Sequence, residues 1–151
     1  MSSERMEFNA DARGLKFAVV VARFNAAITE KLLEGAREAL SSARASDVDV
    51  FRVPGAFELP LAALHVSEDY DAVIALGAVI RGETPHFEYV ATAAANGLQK
   101  VALETGTPVA FGVLTTDTLA QAEERAGGSH GNKGYDAAMT AIEMARFQAD
   151  Y

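Results

Sequence analysis

The chain has 151 residues, half of them hydrophobic, and 21 acidic side chains against 13 basic ones give a formal charge of −8. That length supports one domain around a single sizeable core, and the acidic balance argues against nucleic acid as the main partner. The absence of cysteine excludes disulfides, thiol nucleophiles and zinc–thiolate sites, and no apolar run approaches the roughly 20 residues of a membrane helix.

The first residues, Met1-Ser-Ser-Glu-Arg-Met-Glu7, carry acidic groups and no apolar signal core, so a cytoplasmic protein is expected. Residues 1–14 read as a polar N-terminal arm ahead of a single α/β domain over 15–151. Met6-Glu7-Phe8 is compatible with an edge strand added to a neighbouring chain. Lys16 to Ala22 is a continuous apolar run, as expected of a strand covered on both faces. After Arg23-Phe24-Asn25, residues Ile28, Leu32, Ala36, Leu40 and Ala43 recur at helical spacing, with Glu30, Glu34, Arg37 and Glu38 elsewhere on the helix. Asp47 to Val53 alternates with period two, the mark of a strand with unequal faces near a sheet edge. Pro54-Gly55 turns the chain, and Glu58 to Leu64 starts a short helix.

The stretch Ala72 to Val90 organises the rest. Ala72-Val-Ile-Ala-Leu76 reads as a buried strand closed by a glycine-bounded turn between Gly77 and Gly82. A long helix then opens with Thr84 as N-cap and Pro85 as first helical residue. Such a connection leaves free N–H groups and the positive end of a helix dipole facing a cleft, which is an anion site. His86, a group that titrates near neutrality, falls in the first turn beside it. Gly77-x-x-x-x-Gly82-Glu83-Thr84 misses the nucleotide P-loop pattern by one residue. A carboxylate stands where that loop needs lysine, so nucleotide hydrolysis is excluded on charge. The dinucleotide fingerprint is also absent.

Phe87, Val90, Ala91, Ala94, Leu98 and Val101 supply the buried stripe of this helix, and Gly106 ends it. Pro108 to Leu114 is a fourth strand. Thr118 and Gln121 form a capping box for a helix to about Ala126, broken by the loop Gly127 to Gly134. A last helix carries Ala138, Ile142 and Ala145 toward the core. Strands alternating with helices imply a parallel sheet with helices on both faces. Ligands then bind outside the carboxyl ends of the strands: Phe24-Asn25, Pro54 to Glu58 and Gly77 to His86 should converge.

Each candidate has a plain alternative. Phe24 is a core aromatic or a stacking platform. Glu58 complements a helix dipole or binds a polyol. His86 faces solvent or transfers protons. Arg125 and Lys133 flank a glycine loop as solvated charges, unless an anion or a neighbouring subunit lies within reach. His65, His86 and His130 have no metal-ligand spacing, so no metal is expected.

Taken together, Phe24-Asn25, Pro54-Gly-Ala-Phe-Glu58, Gly77-Ala-Val-Ile-Arg-Gly-Glu-Thr-Pro-His86, Phe111-Gly-Val-Leu-Thr-Thr116 and Gly131-Asn-Lys-Gly134 resemble the 6,7-dimethyl-8-ribityllumazine synthases of riboflavin biosynthesis. The likeness runs from about Lys16 to Met144 with the motifs in family order. It implies a flavodoxin-like three-layer α/β/α sandwich with a central four-stranded parallel sheet, and an N-terminal segment joining the adjacent subunit's sheet in a pentameric ring. It also implies condensation of 5-amino-6-ribitylaminouracil with 3,4-dihydroxy-2-butanone 4-phosphate, without a metal or redox cofactor.

By similarity, Phe24 stacks on the pyrimidine and the backbone of Ala78, Val79 and Ile80 bonds its edge. Ala56, Phe57 and Glu58 hold the ribityl chain. The Glu83 and Thr84 amides, with the Thr84 hydroxyl, bind phosphate, and His86 matches the proton-transfer residue. Phe111, Arg125 and Lys133 match residues lent by the neighbouring subunit, with Arg125 on the phosphate. Two positions depart from the family pattern: Glu83 stands where small residues often occur, and Gly128-Ser-His-Gly131 where Thr-Lys-Ala-Gly is common. Gly131-Asn-Lys-Gly134 resembles members whose twelve pentamers close into a shell of sixty chains, and the resemblance extends to riboflavin synthase as a protein partner.

Rival readings are a flavin-binding electron carrier of the same fold class, a non-catalytic shell or flavin store, and a related pentameric riboflavin synthase. The carrier would need a Ser/Thr-rich phosphate loop after the first strand, where Arg23-Phe-Asn-Ala-Ala-Ile28 stands instead.

Overall fold

The computed structural model describes residues 9–151; Met6-Glu7-Phe8 and the arm's expected pairing with a neighbouring sheet lie outside them. Strands β1 (Lys16–Ala22), β2 (Asp47–Val53), β3 (Ala72–Ile80) and β4 (Val109–Thr116) form one sheet in the order β2-β1-β3-β4, every pair parallel. Side chains alternate across a strand, which is why β1 reads as an unbroken apolar run. Phe17, Val19 and Val21 enter one core and Ala18 and Val20 the other.

Helix α1 (Ala26–Ser42) and the last helix, α5 (Lys133–Asp150), cover the first face with Ile28, Leu32, Leu40 and Ile142. Helices α2 (Leu59–Val66) and α3 (His86–Thr105) cover the second with Leu59, Ala94 and Leu98. The fold is the α/β sandwich with a four-stranded parallel sheet that the alternation of elements predicts. β2 is an edge strand with alternating exposure, as its period-two pattern requires. Residues 9–14 dock on the domain: the Arg146 guanidinium donates to the carbonyls of Asp11 at 3.0 Å and Arg13 at 2.9 Å, and Ala12 is fully buried.

Three expectations need correction. β3 does not stop at Leu76. Its pairing with β1 ends there, but its pairing with β4 continues to Ile80 opposite Thr116. Gly77 is therefore an interior strand residue, where an added Cβ would lie 3.3 Å from Leu59 Cδ1 and 3.5 Å from Ala56 Cβ; it lets the start of α2 approach the sheet. The turn is confined to Arg81 to Pro85. Secondly, α3 begins at His86 with Pro85 in the N-cap position and no side-chain cap, so Thr84 does not cap it. Glu88 N bonds back to Pro85 O at 3.0 Å, a tightened first turn.

The third correction concerns residues 126–132. Helix α4 (Leu119–Glu124) has the expected capping box between Thr118 and Gln121, but it ends before Ala126. The glycine-rich stretch folds as a hairpin of β5 (Ala126–Gly128) and β6 (Gly131–Asn132). Asn132 Oδ1 then caps α5 by accepting from Gly134 N at 2.8 Å and Tyr135 N at 3.1 Å, while its Nδ2 donates to Lys31 O of α1 at 3.0 Å. The close approach of the two helices depends on missing side chains: a Cβ on Gly35 would overlap the Asn132 amide, and one on Gly134 would overlap the Leu32 carbonyl.

Candidate active site

The carboxyl ends of β1, β2 and β3 open into one cleft of about 700 Å³. Lateral hydrogen bonds lace these ends together. Arg23 N donates to Val53 O at 2.8 Å and Phe24 N to Pro54 O at 3.0 Å, tying the exit of β1 to β2. On the other side, Asn25 Nδ2 donates to Ala78 O of β3 at 2.8 Å. The three segments flagged from the sequence do converge.

Phe24 leaves its strand pointing outward, 71% exposed, and lines the cleft; it is not a core aromatic. A short 3₁₀ turn, Ala56–Glu58, follows the β2 exit and carries Ala56, Phe57 and Glu58 into the same wall. Gly55 opens that turn, where an added Cβ would lie 3.2 Å from Glu58 Oε1 and press that carboxylate aside. The extension of β3 beyond β1 brings Ala78, Val79 and Ile80 to the floor. Thr84 and His86 close the far end at the start of α3, both exposed, and Gly82 lines it with them. Glu83 is exposed and is not among the lining residues.

The start of α3, which has no side-chain cap, lies at this end of the cleft, and the first N–H groups of a helix have no partner within it. Those groups and the helix dipole favour an anion there, and His86 is the first helical residue beside it. The turn before α3 is held from behind. Arg81 Nε donates to Asp117 Oδ1 at 2.7 Å, its guanidinium lies 3.7 Å from Glu88 Oε1, and it stacks over the Phe87 ring at 4.8 Å. The Asp117 carboxylate foremost raises the Arg81 pKa above its ordinary value, so this clamp stays charged.

Phe111, Arg125 and Lys133 do not enter this cleft. They line a second one of about 470 Å³ along β4 and the start of α5, together with His130 and Asp136. The hairpin builds that group: Lys133 N donates to Arg125 O at 2.8 Å, and His130 N to Glu124 O at 2.8 Å. The Arg125 guanidinium donates to Gln121 O at 3.0 Å and lies 3.5 Å from Glu124 Oε2. Arg125, His130 and Lys133 thus share a cleft with Asp136, and the Glu124 carboxylate stands 3.5 Å from both Arg125 and His130. Spacing alone did not flag His130 or Asp136, because a hairpin and a helix start bring them beside β4. Asn25 and Arg81 were also missed as site-building residues; both act across strands, which no local pattern records.

Among the described residues no cluster of three or more histidine or acidic side chains could hold a metal ion, and no helix is long and apolar enough to cross a membrane. Residues 14–149 match the family described as 6,7-dimethyl-8-ribityllumazine synthase. A curated relative from Syntrophus aciditrophicus (strain SB), named 6,7-dimethyl-8-ribityllumazine synthase, is 61% identical over 137 residues, covering 88% of this chain and 89% of the relative.

Proposed function

The chain belongs to the 6,7-dimethyl-8-ribityllumazine synthase family, and on that premise we propose how its clefts carry out the condensation. The enzyme is a transferase of riboflavin biosynthesis that joins 5-amino-6-(D-ribitylamino)uracil to 3,4-dihydroxy-2-butanone 4-phosphate. The 5-amine attacks the ketone carbon and one water leaves as the imine forms. Loss of a proton and of phosphate gives an enol that tautomerises to a new carbonyl. The ribitylamino nitrogen closes on that carbonyl, and a second water leaves to give the lumazine.

The observation that carries the assignment of roles is the convergence of three strand ends with the uncapped start of α3 in one cleft. Phe24 stacks on the pyrimidine, the backbone of Ala78, Val79 and Ile80 pairs with its edge, and Ala56, Phe57 and Glu58 hold the ribityl chain. The Glu83 and Thr84 amides with the Thr84 hydroxyl take the phosphate, and His86 moves the protons. The substrates are themselves reactive, so orientation is the main contribution, about 7–11 kcal/mol in the best cases.

Phe111, Arg125 and Lys133 complete the site of an adjacent subunit. Their separation from the first cleft supports that reading. So does the exposure of Leu61, Tyr89 and Leu103, each above 70%, an apolar surface that a lone chain would leave in water. The assembly is a ring of five with residues 1–14 as the arm ahead of the domain 15–151; residues 9–14 are the arm's root, held on their own chain by Arg146, so the reach to the neighbour falls to residues 1–8. Gly131-Asn-Lys-Gly134 further favours closure of rings into a shell of sixty chains, in the cytoplasm, with riboflavin synthase as protein partner. Light scattering separates ring from shell by mass.

The test of function is lumazine formation, followed by its fluorescence with the spontaneous rate subtracted. The unaltered chain should give rapid product and His86→Ala a turnover lower by about 10²-fold, the low end for general acid–base catalysis, with an unchanged melting temperature. An unchanged rate constant would remove His86 from the mechanism. No rate above background, despite tight binding of a ribityl-pyrimidine, would favour the store.

A further inference from the structure

Asn25 occupies the N-cap position of α1, yet its side chain does not cap that helix. Its backbone adopts the left-handed conformation, φ 62° and ψ 45°, which among residues with a side chain asparagine tolerates best. In that conformation the amide reaches across the sheet, and Nδ2 donates to Ala78 O at 2.8 Å in a partly buried setting. The carbonyl it meets lies on the part of β3 that has outrun β1, whose last partner there is Leu76. On the other side of β3, pairing with β4 continues to Ile80. One side-chain amide therefore supplies the lateral bond that a strand supplies elsewhere.

The residue before it is Phe24, whose own N–H is held by Pro54 O at 3.0 Å. Phe24 and the Ala78–Ile80 backbone are two walls of the same cleft. A short path joins them, from Phe24 through the Asn25 side chain to the Ala78 carbonyl. We propose that Asn25 is a positioning residue that sets the slot between the Phe24 ring and the Ala78–Ile80 backbone, and so the fit of the planar pyrimidine. It acts through those walls and at no step of the chemistry. The inference rests on the reading above, in which this slot holds the aminouracil.

Asn25→Gly separates the amide from the backbone requirement, because glycine adopts positive φ freely. Asn25→Asp keeps shape and backbone preference but turns a carboxylate toward the Ala78 carbonyl. Binding of the aminouracil to each protein is measured by calorimetry, with steady-state constants for both substrates and the melting temperature. Asn25→Gly should weaken aminouracil binding and raise its KM by roughly threefold to tenfold, the range for one neutral hydrogen bond, and Asn25→Asp by more. The KM for butanone phosphate should hold, and for Asn25→Gly the melting temperature should fall by only about 3 °C, the share of one hydrogen bond. Equal aminouracil affinity in the unaltered chain and Asn25→Gly would overturn the proposal, as would a parallel loss for both substrates with a melting temperature lowered well beyond that. If the unaltered chain binds no aminouracil, the functional reading falls and the proposal with it.

Discussion

Gly35→Ala is a substitution whose sign should depend on a residue almost a hundred positions away. In the interior of α1, replacing glycine by alanine ordinarily stabilises by about 1 kcal/mol. Here the new methyl would overlap the Asn132 amide and displace it. The displaced group caps α5 through Gly134 N and Tyr135 N and bonds Lys31 O. Loss of the cap costs about 1 kcal/mol and loss of the interhelical hydrogen bond about another. The net is a destabilisation of about 1 kcal/mol, or about 3 °C in melting temperature for a chain of this size.

Asn132→Ala alone removes both interactions and should lower the melting temperature by about 6 °C. With the amide gone, adding Gly35→Ala should then raise the melting temperature, because only the helix preference remains. Thermal unfolding by circular dichroism at one fixed protein concentration reads all four proteins. A stabilising Gly35→Ala in the unaltered background would refute the reasoning, since it would mean that Asn132 yields at no cost.

Arg125→Ala should raise the KM for butanone phosphate and leave aminouracil affinity unchanged in steady-state assays; a selective loss of aminouracil affinity would contradict its place on the phosphate. At the outer edge of the sheet, Tyr70 donates to Asp49 Oδ2 at 2.6 Å, and that bond foremost pushes its pKa up to about 12 from 10.0. The folded state thus holds the proton more tightly than the unfolded one. The contribution to stability is complete below pH 10 and fades as pH rises toward 12. Spectrophotometric titration of the tyrosines should show a last step near 12 that Tyr70→Phe abolishes; its survival would assign that step to another tyrosine.

Local patterns carried much of this fold. The all-apolar run of β1, the helical stripe of α1, the period-two strand β2 and the Thr118–Gln121 box are each set by neighbours a few residues away, and each forms as read. Gly106 likewise ends α3 in the left-handed conformation, φ 76°. What escaped was decided across the sheet. β3 runs past Gly77 because β4 stays beside it, and no count along the chain contains that partner. The glycines from 127 to 134 read as a loop, yet β5–β6 pairing makes a hairpin of it and Asn132, tied to Lys31 O, caps the helix that follows. In the site, Phe24, Glu58 and His86 were legible because strand ends in a parallel sheet must meet. Asn25 was legible only as part of a strand end; its bond to Ala78 O depends on β3 running beyond β1, which no local pattern records.

Two clefts with no lining residue in common, on one chain, have a consequence for genetics as well as assembly. In the head-to-tail ring proposed above, each junction would join the first cleft of one chain to the second cleft of the next. An open row always leaves one of each unmatched, and only closure uses all of them. A chain lacking His86 and another lacking Arg125 are each deficient at every junction of a uniform ring. Mixed in equal parts within one ring, they leave about a quarter of the junctions with both halves intact and gather both defects at another quarter. If the proposed ring forms, inheritance of a defect runs with junctions and not with chains, and two inactive alleles would complement each other inside a single assembly.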